Sequence, residues 1–291
     1  MSVHLPEPTR ILLAAFFRVI LLLAILLVLL PPGKPGGDAR AALTWASEEE
    51  KTDVAFLLHY MPQRDRTALA AQYLLENVRY ARMALHAAPW SKELPEGYYQ
   101  NYILPYASIT EQRDDWRRSF YHRFMPLVKD CRHPGEAAVR LNTRIYALLK
   151  VRYSATERVK PDQGPLESIT VGYASCTGLS ILLVDACRAV GIPARLAGVA
   201  HWTGAPGNHT WVEVWDDGWH CLGAAESTTL DQAWFTTRAA QADPTDALRC
   251  IYAVSFQRQP QYFPLTWDPS NTKISAIDVT ETYHRRFSKQ E

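Results

Sequence analysis

The chain has 291 residues, with 31 Lys and Arg against 30 Asp and Glu, so its formal net charge is +1. That balance argues against a nucleic-acid partner, which requires a basic excess or stripe. Apolar residues at 47% and charged residues at 21% exclude global disorder.

The first element is Ile11–Leu30, ILLAAFFRVILLLAILLVLL, apolar except for Arg18. Two readings fit. Arg10 and Arg18 can belong to a charged leader whose apolar core is Val19–Leu30, followed by a Pro- and Gly-rich tail ending in the small-x-small triplet Ala39-Arg40-Ala41. Alternatively the stretch is just long enough to span a bilayer as an uncleaved anchor. Residues 1–41 are therefore expected to be a signal peptide or membrane anchor. The rest is expected to be exported: periplasmic, secreted or held by residues 11–30. About 250 residues remain beyond that segment, enough for one generous domain.

Residues 42–160 read as a helical N-terminal region. Val54, Phe56, Leu57, Leu58 and Tyr60 form one apolar run. Leu69, Tyr73, Leu74, Val78 and Ala81, then Leu141, Ile145, Leu148 and Leu149, recur at helical spacing. Tyr98, Tyr99, Tyr102, Tyr106, Trp116, Phe120 and Tyr121 crowd the stretch between. Such rings either line a groove or fasten helices to a core, and the second reading is the commoner. From Ser154 to Ser168 the chain turns polar around Pro161-Asp162-Gln163-Gly164-Pro165, a linker or an ordered loop.

A core is expected over residues 161–260, with a C-terminal extension over 261–291. Ser175 is placed to cap a helix that begins at Cys176 and stops at Gly191-Ile192-Pro193. A cysteine in the first turn meets unpaired backbone N–H groups and the helix dipole, which favour the reactive thiolate. Cys187 lies inside the same helix and Cys250 beside Ile251, so both read as inert core thiols. Five cysteines without a CxxC pair offer neither a disulfide scaffold nor a cysteine-built metal site.

A nucleophilic cysteine needs a base, and the base an orienting group. His209 opens the alternating segment His209–Trp215, 33 residues after Cys176, and Asp217-Gly218 signals a hairpin with Trp219–Ala224 as the returning strand. His201 and His220 lack such a setting and read as structural or surface residues. Asn208-His209-Thr210 fits a glycosylation acceptor, but a glycan there would block the base. Asp216-Asp217 is explained by turn chemistry rather than by metal binding.

Ser175-Cys176-Thr177-Gly178-Leu179-Ser180, Ala189–Arg195 and Asn208-His209-Thr210-Trp211-Val212-Glu213-Val214-Trp215 together resemble the transglutaminase-like superfamily of papain-like cysteine enzymes. The likeness runs over about residues 169–256. In Trp219–Glu226, Leu230–Phe235 and Tyr252–Phe256 it leans toward the peptide N-glycanase and bacterial transglutaminase-like protease branch. The resemblance implies an α+β papain-like fold with the Cys-bearing helix on an antiparallel sheet. It also implies thiol chemistry on an amide of a protein, peptide or cell wall, with no cofactor. Cys176 would attack the carbonyl, and His209 would take its proton and return it to the leaving amine.

The third position departs from the pattern, because the usual Asp falls on Gly223. If Asp217-Gly218 is a two-residue turn, residue 216 pairs with 219. Glu226 then lies directly across from His209, and Gly223 faces Val212 on the other side. Glu226 is the expected orienting carboxylate on that register. The backbone N–H of Cys176 is one oxyanion donor, and Gln163 and Asn101 are candidates for a second. The alternative to an enzyme is a catalytically inactive module that keeps the fold for binding.

Overall fold

Helix boundaries follow local chemistry. In the computed structural model, which describes residues 38–288, α1 (Ala41–Trp45), α2 (Glu48–Tyr60), α3 (Gln63–Ala68) and α4 (Ala71–Ala87) come first. The Ser47 N–H at the start of α2 donates to Glu50 at 2.9 Å, satisfying a donor the helix cannot. α4 buries Leu74, Leu75, Val78 and Ala81. α1, α2 and α4 share an apolar cluster with Tyr106 and Ala107. α5 (Arg117–Val128) and α6 (Pro134–Leu149) follow. Proline begins α6, where its missing N–H costs nothing, and Lys150 ends it at φ 59°. Leu141, Ile145 and Leu149 are buried as their spacing predicts, whereas Leu148 is exposed.

Two buried arginines hold the irregular chain between α4 and α5. Arg117 donates to the carbonyls of Ile103, Leu104 and Pro105, and Arg188 to those of Tyr102, Pro105 and Ala107. Desolvation lowers the Arg117 pKa to about 9. Tyr106, Trp116 and Phe120 are fully buried, so these rings fasten helices to the core.

The segment expected as linker or loop is ordered. β1 (Arg152–Tyr153) pairs in parallel with β2 (Tyr173–Ala174) across α7 (Pro165–Val171). α8 runs from Cys176 to Ala189 and is buried from Thr177 onward. Six strands form an antiparallel sheet: β3 (Ala194–Val199), β4 (His209–Trp215), β5 (Trp219–Leu222), β6 (Ile251–Val254), β7 (Gln261–Tyr262) and β8 (Ser275–Asp278). Their spatial order is β5-β4-β3-β6-β8-β7. Leu196, Val212, Val214 and Leu222 pack with α8. On the other face Trp211, Cys221, Ile251 and Ala253 pack with α9 (Thr236–Ala239), Phe235, and Tyr283 and Phe287 of α10 (Thr280–Phe287).

The fold is thus α+β, with the Cys-bearing helix on an antiparallel sheet. Two expected boundaries dissolve in the packing. α5 and α6 share the main core with α8, so the helical region is not separate from the residues after 161. β7, β8 and α10 come from the expected extension, yet β8 lies inside the sheet beside β6. Sequence texture marks changes of secondary structure; burial of both sheet faces decides what belongs to the core.

Residues 11–30, expected as leader or anchor, lie outside the described residues. Among those described, no helix is long and apolar enough to cross a membrane. Ala39, which begins the expected cleavage triplet, and Ala42, which follows it, are fully buried in the cluster of α1, α2 and α4.

Candidate active site

The helix of Cys176 starts where the sequence places it. Ser175 adopts an extended conformation, and its hydroxyl accepts from the Gly178 N–H at 3.0 Å while donating to the carbonyl of Pro161. Position 178 is close-packed: a Cβ there would stand 3.0 Å from that of Ala174. Cys176 is half-buried, and the four other cysteines are buried with their thiols free. Burial pushes the thiols of Cys131, Cys187, Cys221 and Cys250 upward in pKa. Cys176 lines a cavity of about 220 Å³ together with Tyr153, Arg158, Pro161, Asn208 and Trp267.

His209 opens β4 opposite Val199 of β3. The next residue locks this strand to the helix. The Thr177 hydroxyl donates to that of Thr210 at 3.0 Å, and Ser180 donates to the Thr210 carbonyl at 3.1 Å. Close passage of the strands requires glycine at 198, where a Cβ would stand 2.7 Å from the His209 carbonyl oxygen.

The imidazole itself sits among aromatic rings. Centroids of Trp234, Phe235, Trp211 and Trp202 lie 4.8, 5.0, 5.9 and 6.3 Å from that of His209. The residue is 6% exposed, and its buried Nε2 has no hydrogen-bond partner among the described residues. Desolvation lowers its pKa to about 4. His209 is therefore neutral at physiological pH.

The expected third residue is not brought to it. The hairpin turn contains three residues, Asp216, Asp217 and Gly218, because Trp215 pairs with Trp219 and Val212 with Leu222. Asp217 takes the left-handed φ of 53°. This one-residue shift corrects the expected register and exchanges the faces. By continuation Gly223, not Glu226, falls on the face of β4 that carries His209 and Trp211. The chain leaves the sheet after Leu222, and Gly223–Ser227 closes a turn in which the Ser227 N–H reaches the Gly223 carbonyl at 3.0 Å.

Glu226 nevertheless comes close to the missing position. A Cβ on Gly223 would meet its Oε2 at 3.0 Å, so this carboxylate occupies the space that a side chain at 223 would fill. It makes no hydrogen bond to His209. Its Oε2 accepts from the Trp234 indole N–H at 2.8 Å, and the Trp234 ring lies between the two groups in the sequence of contacts. Partial burial raises the Glu226 pKa.

Neither side-chain oxyanion candidate is free at the cavity. Gln163 is fully buried, with Oε1 accepting from the Val159 N–H and Nε2 donating to the Tyr173 carbonyl, both at 3.1 Å. It shapes the loop beside the cysteine. Asn101 bonds Ser255 at 3.0 Å and the Gln257 N–H at 2.9 Å, far along the sheet at the end of β6. The Cys176 N–H remains, since the first helical residues have no intrahelical acceptor.

His220 reads as structural, and its partners show how. It pairs with Asp231 at 2.6 Å, and Asp231 also accepts from Arg286 at 2.9 Å, tying α10 to the hairpin. On the His209 face of β4 the carboxylate present is Glu213, which is spent on Arg195 at 2.7 Å and on the Tyr283 hydroxyl at 2.8 Å. Sequence reasoning missed Asn142, which donates to the carbonyls of Gly223 and Ser227 and accepts from the Ala225 N–H. A polar residue on the buried stripe of α6 was its one visible signal.

Residues 125–224 match the family model of the Transglutaminase-like superfamily. That stretch runs from within α5 to just past β5 and includes Cys176 and His209 but not Glu226. The crystal structure of "a Putative Cysteine Protease from Cytophaga hutchinsonii" is similar over 38% of this chain and 37% of that one, at 21% identity and a TM-score of 0.32. The chain therefore spans little more than a third of that protein's length. A search of curated proteins finds no match to the chain.

Proposed function

We propose that the protein is an exported cysteine enzyme that hydrolyses or transfers amide bonds, with Cys176 as nucleophile and His209 as base. The observation that carries this reading is the pairing of a half-buried, cavity-lining cysteine, the four others being buried, with a helix start bonded to the strand start of His209. In the reaction the Cys176 sulfur bonds the amide carbonyl carbon and its proton passes to His209. The imidazolium returns that proton to the amine as the C–N bond breaks. Water or a second amine then takes the acyl group from sulfur. A protein, peptide, glycopeptide or cell-wall amide fits this chemistry, and the likeness of Trp219–Glu226 to peptide N-glycanases supports the glycopeptide among these. The apolar segment Ile11–Leu30 supports export.

The test is acyl-enzyme trapping. Incubation with a mixed peptide-amide library should add acyl mass to Cys176 and release amine, and Cys176→Ala should do neither. Failure of the parent to form any adduct, with Cys176 alkylating no faster than Cys187, would remove the proposal.

A second reading has its own observation. The buried Nε2 of His209, without a hydrogen-bond partner among the described residues, and the glycine at 223 suit a module that keeps the fold for binding. Cys176→Ala and His209→Ala variants that retain full biological effect would favour it.

A further inference from the structure

We infer that the Cys176 cavity selects an acyl donor bearing a carboxylate next to the amide under attack, and that Arg158 determines this specificity. The inference rests on reading Cys176 as the nucleophile. The cavity holds about 220 Å³, and Tyr153 and Trp267 give it aromatic walls. Among the described residues Arg158 is its one cationic lining residue, and no Asp or Glu lines it.

Arg158 is placed by the loop beneath it. Its Nε–H donates to the Ala155 carbonyl at 3.1 Å, while its two terminal nitrogens have neither a hydrogen-bond acceptor nor a carboxylate partner among the described residues. The loop is in turn fastened to the helix start. Gln163 accepts from the Val159 N–H, and the Ser175 hydroxyl donates to Pro161. Separation of Arg158 from Cys176 is therefore set by the residues that cap and buttress α8.

Other charges of this loop are directed elsewhere. Lys160 pairs with Glu167 at 3.0 Å, Asp162 accepts from the Thr110 hydroxyl at 2.7 Å, and Arg152 lies over the Tyr173 ring at 5.5 Å. Glu157 is exposed and does not line the cavity. A guanidinium with a free planar fork matches a carboxylate better than any neutral group. The positive end of α8 at the same cavity adds a field of the same sign. A neutral acyl donor would leave this charge unanswered; a cationic one would be repelled.

Iodoacetate and iodoacetamide differ in charge but little in size, so their relative rates at Cys176 read the cavity's selectivity without a known substrate. In each reaction a sulfur–carbon bond forms, iodide leaves and the thiol proton passes to base. Rates are followed by mass spectrometry on the full chain at neutral pH. Arg158→Gln should lower the iodoacetate-to-iodoacetamide ratio about fivefold, any slowing of iodoacetamide itself reporting only the thiolate lost with the cation, and about 0.5 M NaCl should shrink the difference. Arg158→Lys should keep part of the preference and Glu157→Gln all of it. A ratio unchanged in Arg158→Gln, or a variant that slows both reagents equally, overturns the assignment. Uniformly slow alkylation with an Arg158-dependent ratio would instead remove only the nucleophile reading.

Discussion

Thr177 and Thr210 face each other hydroxyl to hydroxyl at 3.0 Å, each one residue beyond a member of the proposed dyad. Both are buried, so neither oxygen can turn to water instead. This bond joins the first turn of α8 to the first residues of β4 and ties together the backbone that carries Cys176 and His209. Thr177→Val and Thr210→Val should each cost about 1–2 kcal/mol, because each leaves one buried hydroxyl unpaired, whereas the double variant should cost less than their sum. Urea unfolding of the four proteins checks the cycle; strict additivity would show that the contact contributes nothing.

His209 makes stability depend on pH in a defined window. Burial lowers its folded pKa from 6.5 to about 4, so the unfolded chain binds the proton more readily. Its neutral form is favoured in the folded state, and stability falls as pH drops from 6.5 toward 4, then levels off for this group. The loss amounts to about 3 kcal/mol across the window. His209→Phe should be less sensitive than the parent between those pH values by that amount. Thermal unfolding of both proteins at several pH values reads the difference, and parallel curves would refute it.

Gly223 and Glu226 compete for one volume. Gly223→Asp in a Glu226→Ala background places a shorter carboxylate on the His209 face, relieved of the Glu226 oxygen 3.0 Å from its Cβ, with the Ser227 hydroxyl 2.9 Å away turning aside to admit it. A charge there should raise the His209 pKa by about one unit or more and speed iodoacetamide alkylation of Cys176 at neutral pH. Imidazole titration by NMR and labelling kinetics measure the two effects. Glu226→Gln alone should change alkylation less than about twofold, since the carboxylate is bonded to Trp234 rather than to the imidazole.

Asn142 holds the turn that carries Glu226. Its amide satisfies two carbonyls and one N–H, at 2.9, 2.7 and 2.9 Å. Asn142→Ala should cost about 2–4 kcal/mol through those unpaired backbone groups. Asn142→Asp should be no better, because its second oxygen faces two carbonyl oxygens. Calorimetric unfolding reports both, and a cost below about 0.5 kcal/mol would show that the turn stands without it.

The start of α8 was legible because its causes lie within a few residues. Ser175 caps the helix, Gly178 tolerates the close approach of Ala174, and Gly191 takes the left-handed φ of 79° that ends it. The hairpin was legible as a turn but not in its register. An Asp-Gly pair favours two residues, yet the chain uses three, because both neighbouring tryptophans are held from outside the hairpin. Tyr98 packs on Trp215 and Trp219 at 4.6 and 5.7 Å, and Arg195 lies 3.8 Å over Trp219. β4 is buried on both faces, so alternation gave no second check. The amides of Gln163 and Asn101 could not be assigned either: Asn101 finds its partner 154 residues away.

Residue order alone therefore determined the α+β class, the helix that begins at Cys176 and the strand that begins at His209, since caps, turn formers and apolar spacing act within a turn or two. Only the tertiary structure decided whether the histidine has an acid beside it. That outcome depends on a one-residue register, on Asn142 shaping a turn more than 80 residues away and on Trp234 holding Glu226. Desolvation and electrostatics are set by what surrounds a group in space, and those neighbours come from distant parts of the chain.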